Sequence, residues 1–337
     1  MLTSNVCIGI FLLLQTTTGI LANCFLLSLY ILNFRLDHKL RPLNLILTQL
    51  ILTNITMLVS IGSPEILQAF EIRNFLDNVG CKVIFFLYRI TQGLSICFTC
   101  LLCSFQAITI SPSGSTLSKL KTRIPEQIST LSLFCWILNI LIEIPVPMFV
   151  REPKSTTNNT YAYTIIYCSI IKIIDIYFIM TTLRNVLCVG LMFWTSGYMV
   201  FLLHRHHHQV QNIHSTNFSS RASPEVRATQ TILLLMGIFV CFYLLHSITL
   251  MFLTYLGHNR YWLTISAILS LCFPTFSPFV LLPRTPKHSC ILWGRKVTDS
   301  QIVLKFEYKV GRVISPVCIH GSQPMKVLVT RKNLNSF

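Results

Sequence analysis

The chain has 337 residues, of which 53% are hydrophobic and only 11% are charged. A soluble globular chain carries about 25% charged residues, so this composition excludes an ordinary soluble protein and indicates that a lipid bilayer surrounds much of the chain. The formal net charge of +16 fits either a basic membrane protein or a nucleic-acid binder until the charges are placed.

Seven apolar stretches are long enough to cross a membrane, which takes about 20 helical residues. Only three charged residues fall inside them, Arg89, Glu143 and Arg184. The sequence therefore predicts an all-α fold, a bundle of seven transmembrane helices in a multi-pass protein of the plasma membrane. The predicted spans cover residues 6–32, 43–61, 83–110, 128–150, 176–203, 228–256 and 262–282.

The distribution of Lys and Arg predicts the orientation, because cytoplasmic loops carry the excess of these residues. With an extracellular amino terminus, 19 of the 27 Lys and Arg residues lie on the cytoplasmic side and six lie outside. Positive charge on that side faces anionic lipids, which predicts the bilayer as a partner and argues against nucleic acid. Residues 1–283 form the transmembrane domain, and residues 284–337 are predicted to be a disordered, basic cytoplasmic tail.

The third span contains an arginine among polar neighbours. Arg89 follows Cys81 by about 12 Å along a helix that rises 1.5 Å per residue. Gln92 shares its helical face, whereas Tyr88 is turned about 100° away. Ionisable side chains inside a membrane are expected to face the bundle interior and to have a partner, so Tyr88, Arg89 and Gln92 are predicted to border a cavity.

The fourth span offers that partner. Glu143 lies about 10 Å below the outer end of its span at the helical rise, which is nearly the depth of Arg89. We therefore predict an ion pair between Arg89 and Glu143 that lines or borders an outward-facing cavity. Two alternatives are that Arg89 extends along its own helix toward the surface, and that the pair is purely structural.

The long outer loop between the fourth and fifth spans contains two sites of covalent modification. Of three glycosylation sequons, at Asn54, Asn158 and Asn217, only Asn158 lies on the outer side and outside a span, so it is the predicted glycosylation site. Cys81 and Cys168 both lie in an oxidising compartment under this topology. They are predicted to form a disulfide, the alternative being two free thiols.

The fifth and sixth spans add further polar groups. Arg184 is expected to extend outward along the fifth span. Tyr243 and His246 are three residues apart in the outer half of the sixth span and so share one helical face. A binding site for a small organic molecule is therefore predicted in the extracellular half of the bundle. Its candidate residues are Tyr88, Arg89, Gln92, Glu143, Tyr243 and His246.

Catalytic and metal-binding signatures are not found. Cys97, Cys100 and Cys103 have a spacing that resembles metal ligands, but they lie in mid-span without a second pair, which favours packing. The histidine-rich run at 204–208 follows the fifth span and is interpreted as a solvated helix end near lipid head groups. No phosphate-binding loop, HExxH or serine elbow occurs. We therefore predict that the protein is not an enzyme and needs no cofactor or metal.

The seventh span contains Pro274 and Pro278, which predict a position where the helix bends. Asn23, in the first span, stands where rhodopsin-like receptors also carry an asparagine. The overall plan is that of G-protein-coupled receptors, and specific motifs resemble the vomeronasal type 1 receptor family. These motifs are Phe105-Gln106-Ala107-Ile108-Thr109-Ile110-Ser111-Pro112 in the third span, Cys135-Trp136-Ile137-Leu138-Asn139 in the fourth and Cys272-Phe273-Pro274-Thr275 in the seventh.

This resemblance implies a pheromone receptor that binds a small pheromone-like molecule and activates a heterotrimeric G protein of the inhibitory type. Asn44 and Asn185 depart from the family, whose members often carry aspartate there. The third span lacks the acidic-Arg-Tyr triplet of rhodopsin-like receptors, so their arginine lock does not carry over. The alternatives are a bitter-taste-type chemoreceptor and, from a different class, a polytopic transporter or channel.

Overall fold

The computed structural model describes residues 2–37, 42–72, 76–112, 120–151, 162–165, 168–171, 175–213, 224–256 and 260–282. They belong to the first of two units of the chain, Met1–Pro286. The second unit, Lys287–Phe337, lies outside the described residues, so the predicted tail and its boundary stay predictions. Seven helical segments are long and apolar enough to cross a membrane, and each one overlaps a predicted span.

The helices extend beyond the predicted spans at most of their ends. Their bounds are α1 Leu2–Asp37, α2 Pro42–Met57, α3 Ser63–Ala69, α4 Asn78–Ile110, α5 Leu120–Glu143, α6 Val146–Phe149, α7 Asp175–Ile213, α8 Pro224–Leu256 and α9 Arg260–Leu281. The predicted spans cover the apolar part of each helix, and polar residues continue the helical backbone outside it. The seven-helix architecture is therefore confirmed, with displaced boundaries.

The second span does not end at residue 61 as predicted. A π-helix, Leu58–Gly62, connects α2 to α3, which carries Pro64 in its first turn. A proline is tolerated there because its missing N–H is not needed within the first turn of a helix. The span therefore continues and brings Glu65 into the bundle, where only 6% of its surface is exposed.

The fourth span is interrupted at Glu143, where α5 ends and α6 follows after a two-residue turn. Pro147 lies four residues after Glu143 and has no N–H to donate to the Glu143 carbonyl, so the regular helix cannot continue. The last residue of α5 is therefore the one whose carboxylate is central to the site described below.

Three short strands, which the sequence analysis did not predict, follow α6. They are β1 Val150–Arg151, β2 Ala162–Ile165 and β3 Cys168–Ile171. They form an antiparallel sheet in the order β1-β3-β2, and Ile165 pairs with Cys168 in the β2–β3 ladder. We call this end of the bundle, where β1 contacts α4, the sheet end. It is the end predicted to be extracellular.

Helix α4 lies at the centre of the bundle and contacts α2, α5, α7 and α8. Its side chains Leu94, Phe98 and Leu102 are fully buried in the main hydrophobic core. Asp77 caps its first turn by accepting a hydrogen bond from the backbone N–H of Gly80 at 2.8 Å. This central position lets α4 present polar side chains to four neighbouring helices.

Buried amides join α1, α2 and α9. Asn23 Nδ2 donates to the carbonyl oxygen of Pro274 at 2.8 Å, and Asn54 Nδ2 donates to Ser277 Oγ at 2.8 Å. Both asparagines are completely buried. Helix α9 continues through Pro274 and Pro278.

Candidate functional site

Glu143 lies between two arginines in the sheet half of the bundle. Its Oε2 is 3.5 Å from Arg89 Nε, and its Oε1 accepts a hydrogen bond from Arg184 Nη1 at 3.1 Å. Tyr177 Oη also donates to Oε2, at 2.5 Å. The carboxylate is completely buried. The predicted ion pair between Arg89 and Glu143 is therefore present, and the alternative in which Arg89 extends away toward the surface is wrong.

Arg184 is not directed outward, which corrects the prediction. Only 4% of its side chain is exposed, and it donates to Asn139 Oδ1 at 2.9 Å and to Asn185 Oδ1 at 3.1 Å as well as to Glu143. Three acceptors, one of them the carboxylate of the ion pair, compensate the guanidinium for its lost hydration. Asn185, one of the departures from the family pattern, thus acts as a neutral acceptor for Arg184.

Gly93 on α4 makes room for this arrangement. A Cβ atom on Gly93 would overlap Asn139 Oδ1 and would lie 2.5 Å from Arg184 Nη1. The missing side chain therefore lets Arg184 pass close to α4 on its way to α5. The sequence does not indicate this role of Gly93.

Tyr177 is the residue that joins the two halves of the site, and sequence analysis missed it. Its hydroxyl accepts from Arg89 Nε at 2.9 Å while it donates to Glu143. It lies near the start of α7, where a tyrosine is also common as an interfacial anchor. No feature of the sequence distinguishes the two roles.

A chain of hydrogen bonds runs from Arg89 across to α8 and α9. Arg89 Nη1 donates to Gln92 Oε1 at 2.9 Å, so the Gln92 amide nitrogen faces His246 Nε2, at 3.4 Å. Because an arginine has only donors, this direction is fixed. His246 Nε2 must then accept, and His246 Nδ1 carries the proton that it donates to the carbonyl oxygen of Ser266 at 3.1 Å.

A cavity of about 550 Å³ lies over this chain, within the range of about 300–1,000 Å³ that small-molecule sites occupy. Five of the six predicted site residues line it, and Glu143 lies behind Arg89 and Tyr177. Its apolar wall is formed by side chains from six helices and the adjoining strand, namely Ile61, Phe85, Val146, Phe149, Val150, Phe178, Leu250, Leu253, Leu263 and Ala267. The polar lining residues are Glu65, Tyr88, Arg89, Gln92, Tyr177, Thr181, Thr182, Asn185, Tyr243, His246, Ser247, Ser266 and Ser270.

The opposite end of the bundle has its own contacts between helices. Gln106 Nε2 on α4 donates to Thr229 Oγ1 on α8 at 3.2 Å, and both side chains are buried. Ser111, which ends α4, shares a hydrogen bond of 3.0 Å with the Tyr198 hydroxyl of α7. Residues of the family-like string 105–112 therefore tie α4 to both neighbours at this end.

The predicted covalent modifications are only partly within the described residues. Cys81 is buried and disulfide-bonded. Cys168 begins β3, but its side chain lies outside the described residues, as does Asn158. Both the Cys81–Cys168 pairing and the glycosylation of Asn158 stay predictions. In the part of the chain that the structure describes, Cys97, Cys100 and Cys103 are buried in the core.

Comparison with known proteins agrees with this architecture. The family model described as "Vomeronasal organ pheromone receptor family" matches residues 6–292. Vomeronasal type-1 receptor 4 of Homo sapiens is 39% identical over 293 residues, covering 84% of this chain and 97% of that protein. Olfactory receptor class A-like protein 1 of Danio rerio is 31% identical over 286 residues, covering 83% of this chain and 89% of that protein.

The fold is shared with a solved receptor. Squid rhodopsin, in its crystal structure, superposes with a TM-score of 0.63 and 14% sequence identity, covering 83% of this chain and 77% of that chain. The seven spanning helices, together with the receptor family that the family model names, describe a multi-pass receptor of the plasma membrane. Because the family model and the relatives cover most of its length, the chain belongs to the vomeronasal organ pheromone receptor family.

Proposed function

We propose that the cavity at the sheet end binds a small organic chemosensory ligand from outside the cell, and that binding activates an inhibitory-type G protein. The observation that carries this proposal is the cavity of about 550 Å³, whose polar lining residues come from α3, α4, α7, α8 and α9. The Lys and Arg distribution supports an outward-facing sheet end. Family membership supports the choice of a chemosensory ligand.

The hydrogen-bond chain gives the ligand a way to act on helix positions. A ligand that binds one arrangement of the helices better than another shifts an existing equilibrium toward that arrangement. Moving the ratio from 1:99 to 99:1 needs about 5.5 kcal/mol of differential affinity. A molecule that replaces a contact between Arg89, Gln92 and His246 changes the interaction of α4 with α8, which are also joined by Gln106 and Thr229 at the opposite end.

The G protein is proposed to bind at that opposite end. There the predicted cytoplasmic loops carry Lys and Arg, and the contacts Gln106–Thr229 and Ser111–Tyr198 hold α4, α8 and α7 together. Opening of these contacts would expose the ends of three helices to a partner. The inhibitory type of G protein follows from the family resemblance.

The test is a cell assay with a matched pair of variants on α8. Cells expressing the receptor with a promiscuous G-protein α subunit are screened for calcium signals with volatiles, steroids and urinary extracts. Ser247→Trp fills the cavity that Ser247 lines, so it abolishes the response. The neighbouring Ile248 is 48% exposed on the outside of the bundle, so Ile248→Trp keeps the response.

Two further readouts separate the alternatives. An inhibitory-type G protein predicts that the native coupling, measured as a fall in cyclic AMP, is abolished by pertussis toxin. A ligand-gated current that persists without any G protein would instead indicate a channel. A response that survives Ser247→Trp unchanged would place the ligand outside this cavity.

A further inference from the structure

We propose that Arg89 recognises an oxyanion of the ligand, so that the cavity prefers an organic anion, an apolar molecule bearing a carboxylate or a similar acidic group. This inference rests on the proposed function, because it assumes that the ligand occupies the cavity lined by Arg89. It adds the chemical class of the ligand and the atom group that recognises it.

Arg89 has donors that its protein partners do not use. Its Nε donates to Tyr177 Oη and its Nη1 donates to Gln92 Oε1, both at 2.9 Å. An arginine has five N–H donors, so further N–H groups are left over, and they belong to a side chain that is 22% exposed and lines the cavity. Arg184, by contrast, is 4% exposed and is not part of the cavity lining.

The net positive charge of the cluster formed by Arg89, Arg184 and Glu143 also favours binding of an anion. Arg89 and Arg184 both pair with Glu143. Among the described residues, no other carboxylate lies within ion-pair distance of either guanidinium. Two guanidinium groups therefore share one buried carboxylate, and an uncompensated charge is costly where burial limits its hydration. An anionic ligand group at Arg89 supplies the missing charge.

Glu65 also lines the cavity, but it does not neutralise Arg89. The ion pair of Arg89 within the described residues goes to Glu143. The ligand anion therefore belongs at Arg89, the arginine of the cavity lining.

The guanidinium is held ready for binding. Tyr177, Gln92 and Glu143 fix its position, and Gln92 is itself held by His246. A planar guanidinium that is already fixed binds an oxyanion with geometric selectivity and loses little conformational freedom. The surrounding phenylalanine and leucine side chains provide a surface for the apolar part of the ligand, from Phe85, Phe149, Phe178, Leu250, Leu253 and Leu263.

The experiment compares acids with their neutral esters on the purified full-length receptor. The probes are decanoate and 4-phenylbutyrate, each paired with its methyl ester, and the readout is the thermal unfolding temperature at increasing probe concentration. The wild-type protein is expected to be stabilised by the acids about 10- to 100-fold more potently than by the esters, because hydrogen bonds to charged groups have that value. This comparison needs no variant.

Three variants identify the group responsible. Arg89→Gln removes the preference for acids, and Arg89→Lys retains part of it because the charge stays while the planar fork is lost. Arg184→Gln is the matched control. It removes the other arginine of the same ion-pair cluster and lowers stability, but it keeps the preference because Arg184 does not line the cavity.

The outcomes are separable from those of the proposed function. Esters as potent as the acids, acids without any effect, or an acid preference that survives Arg89→Gln would each overturn the assignment of Arg89. If neutral compounds activate the receptor in a manner sensitive to Ser247→Trp while acids do not, the proposed function stands and only this inference fails. If an acid preference is lost with Arg89→Gln but not affected by Ser247→Trp, the cavity assignment itself fails.

Discussion

Arg184 Nη1 lies 3.1 Å from Glu143 Oε1, deep between α5 and α7. This contact makes Glu143 the shared acceptor of two guanidinium groups rather than one half of a simple pair. Both guanidinium groups therefore depend on a single carboxylate for their ion pairs, and several of the following predictions concern it.

Removal of the carboxylate is predicted to destabilise the receptor strongly. Glu143→Ala leaves both Arg89 and Arg184 without their ion-pair partner, and breaking a buried pair in this way costs about 3–5 kcal/mol. The thermal unfolding temperature and the surface-expressed fraction should both fall. Glu126→Ala is the control, because Glu126 is on the same helix but exposed. Equal stability of the two variants would contradict the shared role of Glu143.

Exchange of the charges of Arg89 and Glu143 is predicted not to restore surface expression. Arg89→Glu combined with Glu143→Arg recreates one ion pair, but it places the new arginine beside Arg184, and like charges in a buried site repel. Surface expression of the double variant should stay as low as that of the single reversals. Recovery to the wild-type level would show that Arg184 does not share the site.

A methyl group at residue 93 is predicted to disrupt the same cluster. In Gly93→Ala the new Cβ collides with Asn139 and Arg184, and overpacking of this kind costs about 1–3 kcal/mol. Gly190→Ala and Gly237→Ala are matched controls, because a Cβ at either position meets no atom within 4 Å. Their unfolding temperature should stay or rise, since alanine favours a helix by about 1 kcal/mol over glycine. The same behaviour in all three variants would contradict the close packing at Gly93.

Loss of the hydrogen bond between α4 and α8 is predicted to raise signalling without ligand. Gln106→Leu and Thr229→Val each remove the contact between these side chains, and a net hydrogen bond of about 1 kcal/mol changes the equilibrium about fivefold. Because both variants remove this shared hydrogen bond, the effect of combining them should be smaller than the sum of the two single effects.

Thr109→Val serves as the control for that measurement. Its hydroxyl bonds within α4, to the carbonyl oxygen of Phe105 at 2.8 Å, so basal signalling should match the wild type. If Gln106→Leu behaves like Thr109→Val in a basal cyclic AMP assay, the contact between α4 and α8 does not hold the resting state.

The orientation is tested by glycosylation. With the amino terminus outside, Asn158 is the sequon that the transferase can reach, so glycosidase treatment should shift the wild-type protein on a gel. Asn158→Gln should remove the shift, whereas Asn217→Gln should keep it. A shift that is lost only with Asn217→Gln would reverse the predicted orientation.

The fold could be predicted because apolar length alone defines a spanning helix, and all seven spans were found in this way. Arg89 and Glu143 could be paired because the helical rise gives their depths without knowledge of helix rotation. Gln92 could be assigned to the candidate site because it is three residues from Arg89 on the same helical face. Tyr243 and His246 could be assigned because they are three residues apart and share a face.

The remaining features depend on how the helices are rotated against each other. Helix α7 carries exposed apolar side chains around much of its circumference, including the consecutive residues Phe178, Ile179 and Met180, so its apolar residues do not show that Arg184 faces inward. The role of Gly93 is visible only when Arg184 is seen to cross it. Tyr177 likewise cannot be distinguished in the sequence from an interfacial tyrosine. The strands β1 to β3 are two to four residues long, too short for a periodic signal.

The bond from Asn23 to Pro274 determines how α9 can move. Pro278 has no N–H to offer the Pro274 carbonyl, so the hydrogen bond that would stiffen α9 at this point comes from α1 instead. The Pro274 carbonyl, which lacks its usual partner within α9, is thus bonded to α1. Asn23 is completely buried, so water does not replace this bond. A displacement of the part of α9 that follows Pro274 is therefore expected to involve α1, so the first helix is coupled to the last spanning helix and is more than a membrane anchor.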